Sequence, residues 1–234
     1  MSSTLATTMS SQPAIRVKAS QKRSLETKKG ILDAAEKLFS EWGFYGTSMR
    51  DITALSGSRI SLCYYHFGTK DDVLQAVVDR RAEEHMEYML ASLGRAVAAH
   101  QESVPVGVLV EAYVRPCLER HHNSGPGWRN YVRLLAHLAS ESASSEYAKK
   151  FFQYDSVNEA FFAEFKRSLP EADDVSIHWG FYFLQTANIN LLLDTHLADH
   201  QSEGQCNSSD IELVIESVKR FFHAGFGGML NTAT

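Results

Sequence analysis

Apolar residues recur every three or four positions along most of the chain, and this spacing constrains the fold more than any other feature. The first run is Ile31, Leu32, Ala35, Leu38, Phe39 and Trp42. Gly43 then provides a helix stop. No segment shows the residue-by-residue alternation of apolar and polar side chains that a half-buried strand requires. The sequence therefore predicts an all-α protein.

Short helices are predicted directly after the first one. A second helix extends from a cap at Thr47 or Ser48 to Leu55, Gly57 ends it, and a third helix follows over residues 59–66. The predicted buried residues of the second helix are Met49, Ile52 and Leu55. Two short helices joined by a tight glycine turn and braced by an amphipathic helix form a helix-turn-helix unit, whose last helix can enter a DNA major groove.

The rest of the chain also has helical spacing. Thr69 is predicted to cap a longer fourth helix over residues 70–92. Breaks are expected near residues 103–106, 121–127, Pro170 and 199–209. The predicted parts are a flexible basic arm over residues 1–24, a helix-turn-helix domain over residues 25–70 and a larger helical domain over residues 71–234.

The net charge of −5 conceals a polarised chain. Residues 1–81 contain 12 Lys and Arg against 8 Asp and Glu, a net charge of +4. Residues 82–234 contain 11 against 20, a net charge of −9. Nucleic-acid binding depends on where the positive charge lies, so the overall acidity does not exclude a DNA-binding N-terminal part.

Residues 1–24 are rich in Ser and Thr and carry Arg16, Lys18, Lys22 and Arg23 without an acidic residue. Such a composition is typical of a flexible basic arm. Two interpretations stay open: a tail with no role, and an extension that attracts DNA phosphates.

Composition and motifs exclude several classes of protein. No apolar run approaches the 18–20 residues of a membrane span and the N-terminus has no signal-peptide pattern, so we expect a cytoplasmic protein. Cys63, Cys117 and Cys206 are odd in number and outside any CxxC spacing, which predicts reduced thiols. The GxSxG, GxGxxG, P-loop and HExxH motifs do not occur, so an enzyme is disfavoured.

The run AAEKLFSEWGFYGTSMRDITALSGSRISLCYYHFGTKDDVL, residues 34–74, resembles the DNA-binding region of the TetR family of bacterial transcriptional repressors. The resemblance lies in the A-x-x-L-F-x-x-x-G-F opening, the T-S-x-x-D-I second helix, the Gly57 turn and the Y-Y-H-F-G-T-K exit. It implies an all-helical homodimer whose C-terminal domain binds a small molecule and supplies the dimer interface.

The resemblance also implies DNA contacts. Base-edge contacts are expected from Arg50, Ile60, Ser61 and Tyr64, and phosphate contacts from Thr47, Ser48, Tyr65, His66 and Lys70. Ser58, Arg59 and Leu62 depart from the common family pattern, and they complete the predicted DNA-binding set. The start of the recognition helix therefore stays open, with Ser58 as a candidate cap. Ile60 and Leu62 can contact a thymine methyl group.

A small-molecule cavity is expected in the C-terminal domain, where polar residues are interspersed among aromatic ones. The predicted ligand-binding residues are Trp128, Tyr131, Leu134, His137, Tyr154, Asn158, Phe161, Trp179, Phe183, Thr186 and Asn190. The alternative for each aromatic residue is an ordinary place in a helix-bundle core. The expected ligand is uncharged or amphipathic, with an aromatic ring or an acyl chain. Arg129 or Arg133 could pair with a carboxylate, or both could be solvated surface charges.

The resemblance further implies a four-helix contact between subunits, built from helices over residues 174–197 and 211–222. The predicted dimer residues are Leu184, Leu191, Val214, Val218, Phe221 and Phe222. An intramolecular core would suit the same amphipathic helices equally well. His196 and His200 have a spacing compatible with metal binding, but a polar helix end is favoured, and no metal or cofactor is predicted.

The function predicted from the sequence is that of a ligand-responsive repressor. It would bind a palindromic operator as a homodimer and leave it when a small, largely apolar molecule binds. The alternatives are a transcriptional activator, a constitutive DNA binder without a ligand and, less favoured, an enzyme that uses the C-terminal pocket.

Overall fold

The fold is described from a computed structural model that covers residues 12–140, 154–193 and 196–229, with side chains from Gln21 to Gly228. The helices are α1 (Gln12–Trp42), α2 (Met49–Ser56), α3 (Ile60–Phe67), α4 (Lys70–Ala98), α5 (Val106–His122), α6 (Pro126–Ser140), α7 (Asp155–Ser168), α8 (Asp174–Leu193), α9 (Leu197–Gln201) and α10 (Ile211–Met229). No strand occurs within these ranges. The all-α prediction is confirmed, and the breaks near residues 103–106, 121–127 and Pro170 fall where the sequence predicts them. Helix α8 ends at Leu193, before the expected end at residue 197, and α9 overlaps the break expected over residues 199–209.

Helix α1 differs from the prediction at its start. It begins at Gln12, inside the segment for which a flexible arm is expected, so the chain is helical from that residue onward. Residues 1–11 lie outside the described part of the chain. Helix α4 extends to Ala98, six residues beyond the predicted end at residue 92.

Two predicted core residues of the N-terminal helices are exposed. Trp42 is 56% exposed because the chain turns at Gly43, where φ is +67°, and Phe44 takes the buried place by stacking on Phe39. Leu55 is also exposed, since the inward face of α2 is completed by Thr53. The Thr53 hydroxyl can enter the core because it donates a hydrogen bond to the carbonyl of Met49 at 3.0 Å.

Buried ionic contacts join α1 to α4. Glu36 is 2% exposed and accepts hydrogen bonds from Arg80 Nη2 at 2.6 Å and from Arg81 Nε at 3.0 Å. Arg80 also reaches Asp33 at 2.6 Å. Helix α6 packs against the other side of α1, where the His137 ring Nε2 lies 3.1 Å from the carbonyl oxygen of Ser40. The helix-turn-helix unit is thus held by both α4 and α6.

The C-terminal helices pack closely around α5. Lys219 and Arg115 on neighbouring helices share the carboxylate of Glu111, and Arg115 also binds Glu212 at 2.6 Å. Helices α8 and α10 touch where Gly180 meets Phe226, since a Cβ atom at Gly180 would lie 2.4 Å from the Phe226 ring. No helix in the described ranges is both long enough and apolar enough to cross a membrane.

Candidate nucleic-acid interface and ligand cavity

Capping interactions fix the geometry of α2. The Ser48 hydroxyl accepts a hydrogen bond from the backbone N–H of Asp51 at 3.2 Å, and the Asp51 carboxylate accepts one from the backbone N–H of Ser48 at 2.9 Å. Gly57, with φ of +65°, ends the helix in the left-handed conformation. The predicted Ser48 cap and Gly57 stop are therefore confirmed, and together they set the direction in which α3 leaves the turn.

The start of α3 corrects the prediction for Ser58. The N-cap position is Arg59, which makes no side-chain cap hydrogen bond, and α3 begins at Ile60. The Ser58 hydroxyl is one residue too early and shares a hydrogen bond of 2.7 Å with the Ser56 hydroxyl. The first amides of α3 consequently have no side-chain cap from within the described chain.

One side of α3 faces the core and the other faces solvent. Cys63 is fully buried, and its thiol lies 3.9 Å from the Met49 sulfur. Burial raises the pKa of this thiol, which suits a core residue and not a reactive one. The exposed residues of α3 and its surroundings are Ser48, Arg50, Arg59, Ile60, Ser61, Leu62, Tyr64 and Tyr65, and Ser58 and His66 are half-buried.

Two residues predicted to contact phosphates have other partners. Thr47 is 2% exposed, and its hydroxyl donates to the carbonyl of Gly43 at 2.9 Å. The Lys70 ammonium donates to the carbonyls of Phe44 and Thr47, both at 2.9 Å, and lies 3.9 Å from the centre of the Phe44 ring. Desolvation lowers the pKa of Lys70. Both side chains hold the α1–α2 turn, and Lys70 ties that turn to the first residue of α4.

A cavity of about 630 Å³ lies between helices α4 to α8. Its walls are His85, Met89, Tyr113, Cys117, Val132, Leu135, Ala136, Ala139, Ser140, Tyr154, Val157, Asn158, Tyr182, Gln185, Thr186, Asn188, Ile189, Asn190, Leu192 and Leu193. None of these lining residues is an Asp, Glu, Lys or Arg. Largely apolar walls with a few neutral polar groups are typical of a site for a small organic molecule.

Part of the predicted ligand set lines this cavity. Tyr154, Asn158, Thr186 and Asn190 do so. Tyr131, Leu134 and Phe161 are fully buried in the core, Trp128 stacks on Arg120, and His137 contacts Ser40. Trp179 and Phe183 lie on the outer face of α8, about half exposed. Helical spacing could not separate these places, because each helix has neighbours on more than one side.

Two of the most buried polar side chains of the cavity were not predicted. His85 is 4% exposed among the rings of Trp128, Tyr131 and Tyr154, and its Nδ1 has no hydrogen-bond partner in the described structure. Burial, with a smaller contribution from Arg120, lowers the pKa of His85 to about 3, so the ring is neutral. The sequence did carry a signal, since this histidine occupies a position on α4 that helical spacing assigns to an apolar residue.

A second unpaired group comes from α8. Asn188 is 6% exposed, and its Oδ1 has no hydrogen-bond partner among the described residues. Across the cavity, the Tyr113 hydroxyl donates to Asn158 Oδ1 at 3.2 Å, and burial raises the pKa of Tyr113. Burial also raises the pKa of the Cys117 thiol to about 11, which makes this lining residue an unreactive one.

The predicted dimer residues divide between core and surface. Leu184 and Phe222 are buried within the subunit, and Leu191, Val214 and Val218 are half-buried. Phe221 is 72% exposed. The exposed apolar residues on α8 and α10 are Val175, Trp179, Tyr182, Phe183, Leu213 and Phe221. The outward face of this helix pair, here named the α8/α10 face, thus includes two residues that the sequence assigned to the ligand site.

The histidines near α9 do not form a metal centre in the described structure, where no group of at least three potential ligands occurs. His196 Nδ1 lies 3.8 Å from Asp199, whose carboxylate accepts hydrogen bonds from the backbone and hydroxyl of Ser208, both at 2.7 Å. Asp199 thus organises the loop that precedes α10.

The capped α2–α3 pair, the outward face of α3 and the helical domain behind them define a helix-turn-helix DNA-binding protein with a separate C-terminal helical domain. Comparison with known proteins identifies the family. Residues 31–77 match the family described as "Bacterial regulatory proteins, tetR family", and residues 111–225 match "Tetracyclin repressor-like, C-terminal domain". The chain belongs to the TetR family of bacterial transcriptional regulators.

Related sequences align over part of their length. The transcriptional regulator TtgR of Pseudomonas putida is 31% identical over 93 residues, which are 40% of this chain and 42% of TtgR. The transcriptional repressor Rv3405c of Mycobacterium tuberculosis is 35% identical over 101 residues, 38% of this chain and 54% of the relative. The alignments therefore span about half of the relatives or less.

Solved structures share the fold over most of the chain. GusR of Salmonella enterica has a TM-score of 0.55 and 21% identity, with 88% of this chain and 96% of that one covered. The TetR-family regulator PfmR of Thermus thermophilus has a TM-score of 0.53 and 18% identity, with 82% and 92% covered. At these identities the likeness concerns the fold alone.

Proposed function

We propose that the protein is a ligand-responsive transcriptional repressor. It binds a near-palindromic operator as a homodimer and leaves the operator when a small organic molecule enters the 630 Å³ cavity. The observation that carries this proposal is the outward face of α3, where Ile60, Ser61, Tyr64 and Tyr65 are exposed on a helix anchored by the buried Cys63. Such a role would place the protein in the cytoplasm.

The proposed DNA contacts follow from exposure and chemistry. Arg50, Ile60, Ser61 and Tyr64 contact base edges, with Ile60 and Leu62 against thymine methyl groups. Ser48, Ser58, Arg59, Tyr65 and His66, with the uncapped amides of α3, bind phosphates. Thr47 and Lys70 act indirectly, because their side chains already hold the turn that positions α2.

The α8/α10 face is the proposed dimer interface. It presents large apolar side chains to solvent, and the family membership supports a subunit contact made by these helices. Two-fold symmetry would place the two α3 helices in successive major grooves, roughly 34 Å apart. Replacing Trp179 by Glu should give monomers in light scattering and abolish operator binding. A Trp179→Glu protein that remains dimeric would remove this interface from the proposal.

Helix α4 provides the proposed connection between the cavity and the DNA-binding unit. Its residues His85 and Met89 line the cavity, and Lys70 at its first turn holds the α1–α2 turn. A molecule that binds more tightly to a tilted α4 would move the two reading helices apart and weaken operator binding, since a ligand acts through its differential affinity for two states. The part of the effector inside the cavity is expected to be largely apolar, with neutral hydrogen-bonding groups for His85 and Asn188.

Selection from random duplex DNA tests this function. The purified protein would be incubated with the pool at moderate salt, and the bound fraction would be sequenced. Enrichment of a two-fold-symmetric site, lost with Tyr64→Ala, is the expected result. If the wild-type protein enriched no site and behaved like Tyr64→Ala, sequence-specific DNA binding would be refuted.

A further inference from the structure

A second recess lies directly beside the cavity. It encloses about 330 Å³ and is lined by His121, His122, Arg129, Arg133, Leu192, Leu193, His196 and Ser209. Leu192 and Leu193 also line the 630 Å³ cavity, so the two spaces share a wall. The described residues that line the cavity carry no formal charge, whereas this recess, here named the basic recess, presents two guanidinium groups.

The arginines of the basic recess lack carboxylate partners in the described part of the chain. Arg129 donates through Nε to the backbone carbonyl of His121 at 3.0 Å, and the buried Nε of Arg133 has no partner. By contrast, Arg115 and Arg220 elsewhere in the same domain each bind a glutamate at 3.1 Å or less. Arg129 is exposed, whereas Arg133 is half-buried, so it is the Arg133 guanidinium whose desolvation cost an anionic partner would offset.

The positive charge of the recess also affects His121. His121 is 9% exposed, and its Nδ1 is buried without a partner in the described structure. Burial, followed by repulsion from His122, Arg129 and Arg133, lowers the pKa of His121 to about 4. One acidic side chain is close by, because Asp199 approaches His196, but its oxygens are also held by Ser208. The permanent positive charge of the recess resides on its two arginines, and the Asp199 carboxylate lies beside His196 at one side of it.

We propose that the basic recess binds the anionic head of an amphipathic effector, a carboxylate or a phosphate, while the apolar part of the same molecule lies in the 630 Å³ cavity. Arg129 and Arg133, one helical turn apart on α6, can donate paired hydrogen bonds to such a head. Leu192 and Leu193 border both spaces, so a molecule that extends past these two side chains would reach from the cavity into the recess. This inference rests on the proposed function, since it names the chemical class of the effector.

Matched probes test the inference. Hexanoate, octanoate and decanoate would be titrated by calorimetry into the full-length protein beside the 1-alkanols of the same chain length. In at least one pair the acid is expected to bind at least tenfold more tightly than the alcohol. Arg133→Gln should remove this advantage and leave the affinity for the alcohol unchanged, and Arg133→Lys should restore part of it. Arg95→Gln, which removes an exposed arginine from α4, is the charge-matched control and should behave as wild type.

Inorganic phosphate distinguishes one joined site from a separate anion site. If phosphate weakens binding of the acids and leaves the alcohols unaffected, the head of the effector occupies the recess. If phosphate binds alone while no acid exceeds its alcohol, or if no probe of either kind binds, the inference is overturned.

The DNA experiment separates this inference from the proposed function. If the protein enriches an operator and a neutral molecule releases it, the repressor proposal is kept and the proposed anionic head group is refuted. If the acids bind more tightly than the alcohols in a way that depends on Arg133, but the protein enriches no operator, the repressor proposal is refuted and the anion site in the basic recess is kept.

Discussion

The DNA-binding face around α3 and the cavity differ in where they place polar side chains. Around α3, polar and aromatic groups point to solvent from helices fixed by the Ser48 cap and the Gly57 turn. In the cavity, His85 and Asn188 are almost fully buried and carry unpaired atoms. An exposed polar group costs little stability and awaits a large charged partner, whereas a buried unpaired one is tolerated where a ligand can satisfy it. Substitutions should therefore separate DNA binding, ligand binding and stability.

The largest effect on stability is expected at the ionic contacts between α1 and α4, here named the α1/α4 joint. Glu36→Gln removes the charge that pairs with Arg80 and Arg81 and leaves both cations partly buried. Breaking such a buried pair should lower the free energy of unfolding by about 3–5 kcal/mol. Urea unfolding measures it, with Glu41→Gln on the exposed side of α1 as the control. A loss of stability no greater than that of the control would show that the joint does not hold the two regions together.

A pH experiment sharpens the description of the cavity. The pKa of His85 is about 3 in the folded protein and 6.5 as the ordinary value, so the unfolded chain binds more protons between these limits. Stability is then fully present above pH 6.5 and decreases as the pH falls toward 3. Between pH 7.5 and pH 5, this residue alone should remove about 2 kcal/mol.

The free energy of unfolding of His85→Phe should change with pH by about 2 kcal/mol less than that of the wild type. Urea unfolding at pH 7.5 and pH 5 measures the difference. Groups that titrate in both proteins, including His121, cancel in the difference. Equal pH dependence of the two proteins would mean that His85 takes up a proton over the same pH range in the native state as in the unfolded chain.

On the DNA-binding side, Tyr65→Ala removes an 81% exposed side chain from the end of α3. The loss of one hydrogen bond to a phosphate should weaken operator binding about tenfold, or about 1.4 kcal/mol, without lowering the melting temperature. Anisotropy with the selected operator gives the affinity, and Leu90→Ala on α4 is an exposed apolar control. A stability loss that accompanied the weaker binding would place Tyr65 in the core of the unit.

The comparison also explains how far the sequence alone could reach. The helices, the Ser48 and Thr69 caps and the exposed face of α3 depend on neighbours a few residues away, so spacing predicted them. The hydrogen bonds of Lys70 were not predicted, because its partners, the carbonyls of Phe44 and Thr47, come from a turn more than twenty residues earlier. The cavity lining was only partly found, because helical spacing shows that Phe161 and Trp179 are apolar positions but not which neighbour each one faces.

The smallest expected effect on stability concerns Asn188. Its sign distinguishes the cavity from the DNA-binding face, because here the loss of a polar group should stabilise the protein. Asn188→Leu keeps the branching and the number of side-chain heavy atoms and removes a buried oxygen that has no partner in the described structure. Because the unpaired Oδ1 pays a desolvation cost in the folded state, the variant should be more stable by about 1 kcal/mol.

The same change should abolish release from the operator by a cavity-binding molecule and leave operator affinity unaltered. Asn190→Leu is the matched control, because Asn190 lines the same cavity but is exposed and donates to the carbonyl of Thr186 at 3.0 Å. Thermal melting and operator release, measured on both variants, check the prediction. A less stable Asn188→Leu protein would mean that Asn188 Oδ1 is hydrogen-bonded in the free protein, and the buried polar groups would then belong to the core instead of the ligand site.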